Sequence, residues 1–486
     1  MLLRSSKGVM KRPKHSSSNN DETKQDLISK LPDALLTHIL SLLPDADVCR
    51  TSVLSNRWND LWMFLPTLHF VMPLCWSNEG GNELYSMVDE VETPVCWSME
   101  EVDKFYDLVD KTLALRDGMP IQRFFLYCSK DWDYDRVHDW LRIAVQCKVQ
   151  IIVLRFPPER YTFRFFWDLF KTCDTLVELS LEGQFQLDVP KGKAKVLFPC
   201  LKKISLLSID YCQVFGDELF ENLITGCPVL VELCFERHNF DDLKKIKVSS
   251  KTLKRLRIYF THVVFENCKV LIDAPRLEYL DIKDSVFSEF SITKKPLSLV
   301  EAHIDTLTIS VAQIIKNISA AKVLTFKFPT LRDFHRVDEV DEFDDIYEVD
   351  EIGEADEIGE VDDLNVPMFP NLIKLVTGIK DNGSWNDLLG YLNNMPKLEH
   401  ITFLNDPPLE APACLRFGVK EIILRNQETI RQRELAFIEF MLEHSNNLEK
   451  FTMNFRENDS KTREKLLNSY RGSNRCQIEF VPGLRR

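Results

Sequence analysis

The chain has 486 residues, 44 % of them apolar, and a formal net charge of -14. No apolar run reaches the roughly 18 residues that cross a bilayer, so a membrane partner is not expected, and thirteen cysteines with no Cys-x-x-Cys pair argue for a reducing compartment and against a zinc ribbon. The charge is local: Asp338–Asp363 holds 15 acidic residues and no Lys or Arg, which leaves 60 acids against 61 bases elsewhere.

Residues 1–25 read as a disordered basic tail. They lack the apolar stretch of a secretory signal. Lys11-Arg12-Pro13-Lys14 is compatible with a nuclear address, so nucleus and cytoplasm are both expected locations. Residues 26–70 carry three short helices. Pro32 can open the first, with Asp33 in its first turn, and Pro44 closes it. The second spans about Asp47 to Leu54 and the third about Asn56 to Leu65. In the third, Trp58, Leu61, Trp62 and Leu65 fall on one face. In the first, Leu31, Leu35, Leu36, Ile39, Leu40, Leu42 and Leu43 fill about half the helical wheel, beyond the stripe of roughly 100° that a surface helix needs. The excess calls for another protein, because a unit of about 40 residues rarely supports its own core.

Leu31-Pro32-Asp33, Ile39-Leu40-Ser41-Leu42-Leu43-Pro44, Arg50-Thr51-Ser52-Val53-Leu54-Ser55, Arg57-Trp58 and Leu61-Trp62 resemble a plant-type F-box over its whole length. The resemblance implies docking on a Skp-family adaptor and, through it, on a cullin-RING ubiquitin ligase. The candidate adaptor-binding residues are Leu31, Pro32, Leu35, Ile39, Leu40, Leu43, Pro44, Val53, Leu54 and Trp58.

Residues 71–120 read as a linker and cap. Gly80-Gly81 marks a loop, and Met99–Leu115 has helical spacing. Over residues 121–335 an apolar-x-x-apolar-x-apolar pattern recurs, first at Ile121/Phe124/Leu126 and then at steps of 22 to 29 residues. Residues 336–364 form an acidic low-complexity loop, read as open chain because like charges repel. The pattern resumes at Leu372/Leu375, a step of 49 from Val323, about two repeats. Periods of this size with this core read as leucine-rich repeats. Asp217–Thr225 and Glu428–Glu443 read as helices on the convex side, and Cys476–Val481 as a last strand. Residues 365–486 therefore hold final repeats and a C-terminal cap. Phe369-Pro370-Asn371-Leu372, Met395-Pro396-Lys397-Leu398-Glu399 and Asn447-Leu448-Glu449-Lys450-Phe451-Thr452 resemble the FBD region of plant F-box proteins.

The expected fold class is α/β: an N-terminal three-helix F-box, then an irregular leucine-rich-repeat solenoid with a parallel concave sheet. Catalytic signatures are missing. There is no glycine-rich phosphate loop, Gly-x-Ser-x-Gly or His-Glu-x-x-His. His38, His69 and His138 stand isolated. Cys173, Cys200 and Cys227 recur every 27 residues and read as fillers of small core spaces. No metal or cofactor is expected. On the concave side Lys202, Lys203, Lys254, Arg255 and Arg257 are basic and Glu178, Glu232, Glu278 and Asp281 acidic, and this mixed sign argues against nucleic acid. The reading is a non-catalytic, substrate-recruiting subunit of an SCF-type ubiquitin ligase, its repeats holding a protein substrate. The alternative is a non-ligase leucine-rich-repeat scaffold.

Overall fold

The computed structural model describes residues 28–72, 99–327, 367–378 and 392–482, apart from short stretches at 44, 52–53, 56, 117, 129–132, 157–162, 171–172, 184, 189–197, 210–217, 238–243, 261–267, 285–287, 307–310, 405–412, 426–431 and 456–459. The Gly80-Gly81 loop and the acidic run Asp338–Asp363 lie outside the described residues. Two compact units form: Met1–Val214 with Gly226–Val229, and Phe215–Thr225 with Leu230–Arg486.

The first unit opens with helices α1 (Asp33–Ser41), α2 (Asp45–Thr51) and α3 (Trp58–Leu61), the last continued by a 3-10 turn at Trp62–Phe64. All three are shorter than the sequence pattern suggests. Leu42 caps α1, donating its N–H to the Ile39 carbonyl, and Leu43 N–H bonds the Leu40 carbonyl. The leucine run therefore continues past the helix into a turn ahead of Pro44. The core of this module is Leu36, Leu40, Val48, Trp58, Leu61 and Leu65, with Leu31 and Trp62 packed against it.

The repeat array of this unit consists of β1 (Thr67–Val71), α4 (Met99–Ala114), β2 (Arg123–Tyr127), α5 (Tyr134–Gln146), β3 (Ile151–Arg155), β4 (Phe163–Phe166), β5 (Glu178–Glu182), β6 (Phe185–Asp188) and β7 (Lys203–Ile209). Strands β1, β2, β3, β5 and β7 pair in that order, all parallel. The sheet thus begins at Thr67, one strand ahead of the first repeat legible in the sequence. Asp133 starts α5 by accepting from the N–H groups of Asp135 and Arg136. The α4 and α5 helices lock through Asp110, which accepts from Trp140 Nε1 at 2.6 Å and Arg136 Nη1 at 2.9 Å.

The second unit begins with α6 (Glu218–Thr225). It then alternates β8 (Glu232–Arg237), β9 (Lys245–Ser249), β10 (Arg255–Phe260), β11 (Lys269–Asp273), β12 (Tyr279–Asp284), β13 (Glu289–Ile292) and β14 (Glu301–Thr306). After α7 (Val311–Asn317) come β15 (Val323–Lys327), β16 (Lys374–Gly378), β17 (His400–Phe403), β18 (Glu421–Leu424), β19 (Lys450–Phe455) and β20 (Gln477–Pro482). Helices at Ala413–Phe417, Gln432–His444 and Ser460–Leu467 separate the last strands. Strands β8, β10, β12 and β14 through β20 form one parallel series.

Within each strand the apolar pair two residues apart faces the core, and the residues between them face away. At many of the described strand starts one carbonyl accepts two N–H groups. The Val231 carbonyl takes Lys254 and Arg255; the Lys322 carbonyl takes Ile373 and Lys374. That second pairing corrects the repeat count. Strand β16 lies directly beside β15, so the step of 49 is one repeat carrying an insertion, not two repeats.

A second parallel sheet, β9-β11-β13, was not foreseen. Its edges are closed by α6 along β9 and α7 along β13. Among the described residues no helix is long and apolar enough to cross a membrane.

Gly183, just after β5, has φ +115°, and a Cβ there would overlap the Phe156 carbonyl. A Gly183→Ala change is expected to lower stability by about 1–3 kcal/mol, read as a lower thermal midpoint.

Candidate functional site

Helix α1 sorts its leucines onto two faces. Leu36 and Leu40 are fully buried. Leu35 is 50 % exposed, Ile39 39 %, Leu43 37 % and Leu54 62 %. Leu42 and Ile28, which the sequence reading left out, are exposed too. Position in the helix is the cause: at 100° per residue, 36 and 40 share one face and 35 and 39 the adjoining one. Four of the ten candidate adaptor contacts, Leu35, Ile39, Leu43 and Leu54, therefore present apolar surface to solvent. Pro32 is exposed at the start of α1, and Leu31 is half-buried against the core. Leu40 and Trp58 are buried inside the module. Pro44 and Val53 lie outside the described residues.

Arg57 holds this arrangement together. Its Nε donates to Asp33 Oδ1 at 2.8 Å and its Nη2 to the Leu31 carbonyl at 2.6 Å, tying the start of α1 to the start of α3. At the other end the module joins the sheet. Arg116, buried after α4, donates to the Leu65 carbonyl. Burial lowers the Arg116 pKa. The Pro66 carbonyl accepts from Gln122 and Arg123 at 2.7 and 3.1 Å. Only Leu65 and Pro66 separate the last turn of the module from β1.

The open face of the second unit's sheet carries a polar cluster. Arg257 Nη1 meets Glu232 Oε1 at 2.5 Å. Burial opposes the Arg257 charge, but the hydrogen bond and charge of Glu232 outweigh it, and the pKa is raised. Tyr259 and Tyr279 both donate to Asp281 Oδ2, at 2.8 and 3.4 Å. Burial raises the pKa of each phenol, followed for Tyr259 by the hydrogen bond to Asp281 and for Tyr279 by the Asp281 charge. The Arg255 guanidinium stacks on the Tyr279 ring at 4.4 Å. His303 Nε2 lies 2.9 Å from Glu301 Oε1. Of the charged residues expected on this side, Lys202, Lys254 and Glu278 instead sit just before the strands.

The cysteines divide. Cys173 and Cys227 are buried, and burial pushes the Cys227 thiol up to about 12. Cys200 is exposed, because it falls in the turn before β7 and not in the core, contrary to its expected role. Among the described residues no three His, Cys, Asp or Glu side chains are grouped to hold a metal.

An F-box domain family model matches residues 28–69, and a model of the leucine-rich repeats of "FBD-associated F-box protein At5g56370" matches residues 137–308. F-box/LRR-repeat protein At3g59190 of Arabidopsis thaliana is 30 % identical over 406 residues, covering 80 % of this chain and 98 % of that one. The chain belongs to the F-box/LRR-repeat family. F-box/FBD/LRR-repeat protein At2g04230 of the same plant is 28 % identical over 492 aligned positions, covering 95 % of this chain and 98 % of that one. The three-helix module is thus an F-box and the strands are leucine-rich repeats, in a chain whose relatives are F-box proteins with an FBD-associated region.

Neighbouring leucines should behave oppositely. Leu40→Asp places an unpaired carboxylate in the F-box core and is expected to cost about 3–5 kcal/mol. Leu35→Asp should leave stability within about 0.5 kcal/mol. Thermal denaturation of the two variants checks this.

Proposed function

We propose that this chain recruits substrates to an SCF-type ubiquitin ligase. The F-box docks on a Skp-family adaptor and, through it, on a cullin, and the repeats hold a protein substrate. The observation that carries the reading is the uncovered apolar face of Leu35, Ile39, Leu42, Leu43 and Leu54 on a module whose own core is already filled. Full burial of such a side chain is worth about 1.5–3 kcal/mol, so a partner has a concentrated apolar target.

The contribution to ubiquitin transfer is proximity. Holding a substrate beside the conjugating machinery raises its effective concentration, and no bond-making group is required of the recruiter. The short Leu65–Pro66 connection suits this task, since the docking face is fixed to the first strand through Arg116 and the Pro66 carbonyl. Such a ligase would operate in the nucleus or cytoplasm.

The test is co-purification of adaptor and cullin with the full chain. Wild type should retain both. The double variant Leu35→Asp, Ile39→Asp should lose both by more than tenfold, roughly the 1.4 kcal/mol per decade of two buried contacts or more, while its repeats keep their thermal transition. Undiminished recovery would remove the docking face from the account.

A further inference from the structure

Resting on that substrate-recruiting reading, we infer that the open face of β1, β2 and β3 holds an extended segment of the substrate protein in which an acidic residue stands two positions from an aromatic or aliphatic one, the carboxylate on Arg123 and the apolar side chain on Phe125. Alternate residues of these strands are buried, and those between them face the open side. His69, Phe125 and Val153 stand side by side in register across the middle of that face, with Val71 and Tyr127 beyond them and Ile151 before them. All six are half-buried, so a contiguous aromatic and aliphatic patch meets water. Such a patch marks an interaction site.

Charge chooses the occupant. The outward residues of β1, β2 and β3 include no Asp or Glu, and Pro66, Gln122 and Gln150, just before the strands, add none. On the neighbouring β5 both outward carboxylates are taken, Glu182 by Arg155 at 2.7 Å and Glu178 by Lys203 at 2.9 Å. Arg123 is exposed between Thr67 and Ile151, and among the described residues its guanidinium has no hydrogen bond or ion pair. The patch therefore ends in one uncompensated positive charge. The open face of β8, β10, β12 and β14 is the opposite case: its outward carboxylates outnumber its cations, and its two tyrosines are tied to Asp281. An acidic segment is favoured on the first unit's face and disfavoured on the second's.

Phe125 is set in place before binding. His69 meets its ring edge-on, with 4.0 Å between centroids, and the Arg155 guanidinium lies 5.7 Å from the ring centre while paired with Glu182. A ring held from two sides loses little freedom when a partner packs on it. Spacing fixes the pattern. Residues two apart on an extended chain point the same way, about 6.7 Å from each other, in the sheet and in the ligand alike. A ligand lying along β2 thus puts a carboxylate on Arg123 and the apolar side chain two positions on against Phe125. A further apolar residue two beyond reaches Tyr127.

The full chain is titrated into a fluorescein-labelled peptide, Ser-Glu-Ser-Phe-Ser-Leu-Ser, followed by fluorescence polarisation. Binding should be saturable. Lys in place of Glu, or Ser in place of Phe and Leu, should each weaken it at least about fivefold. On the protein side, Arg123→Glu and Phe125→Ala should each do the same, while Lys295→Glu, after β13, makes the same charge change away from the face and should leave binding unaltered. No saturable binding, indifference to either peptide change, or equal loss in Arg123→Glu and Lys295→Glu overturns the proposal. Sedimentation of the free chain tests a second copy as occupant: a dimer that Arg123→Glu dissociates would assign the face to self-association and overturn the proposal too. No adaptor is present in these assays, so their outcome is separate from that of cullin co-purification.

Discussion

One short helix must be apolar on two sides. Leu36 and Leu40 of α1 fill the F-box core, while Leu35 and Ile39 on the same nine-residue helix stay in water. Neither set can be spared. Without the inner pair the module has no core beyond Val48, Trp58, Leu61 and Leu65. Without the outer set it would be a small cap with no reason to hold greasy side chains at its surface. Contiguous exposed apolar surface on a soluble domain marks an interaction site. In the proposed function that surface is covered only after assembly.

A second constraint links this surface to the repeats. A guanidinium buried beside the Leu65 carbonyl gives up hydration and is lowered in pKa for it. The compensation is positional: the backbone leaving the F-box is held where β1 begins. Lys111 and Asp60, 3.6 Å apart, add a weak surface tie between α4 and α3. The F-box and β1 to β7 lie in the same compact unit. In the repeats a carbonyl that accepts two N–H groups recurs at many of the described strand starts, among them the start of β16, which pairs directly with β15.

The strands were the most legible part of the sequence. Leu256 and Ile258, or Leu280 and Ile282, are spaced two apart because a strand side faces the core every second residue, and nothing else in the chain imitates that at so regular a step. The F-box motif was legible for the same reason that it is exposed: too many leucines for one stripe. Which leucine faces inward was not. Leu40 and Trp58 look as apolar as Ile39 and Leu54 on paper, and only the crossing of three short helices decides that they are buried. The β9-β11-β13 sheet was missed because Lys245–Ser249 and Glu289–Ile292 are four or five residues long and carry too little periodicity to stand out from loops. The tyrosine and arginine cluster was half visible. Its charges were noted as mixed, but only the structure shows that Arg257 meets Glu232 and that both phenols meet Asp281.

Amide hydrogen exchange of the full chain, with and without a purified Skp-family adaptor, tests the uncovered-face account most directly. The account predicts added protection confined to the F-box, strongest across α1 and the turn through Leu43 and at Leu54, with the repeat strands unchanged. Exchange in α1 that stays the same when adaptor is present in excess would contradict it.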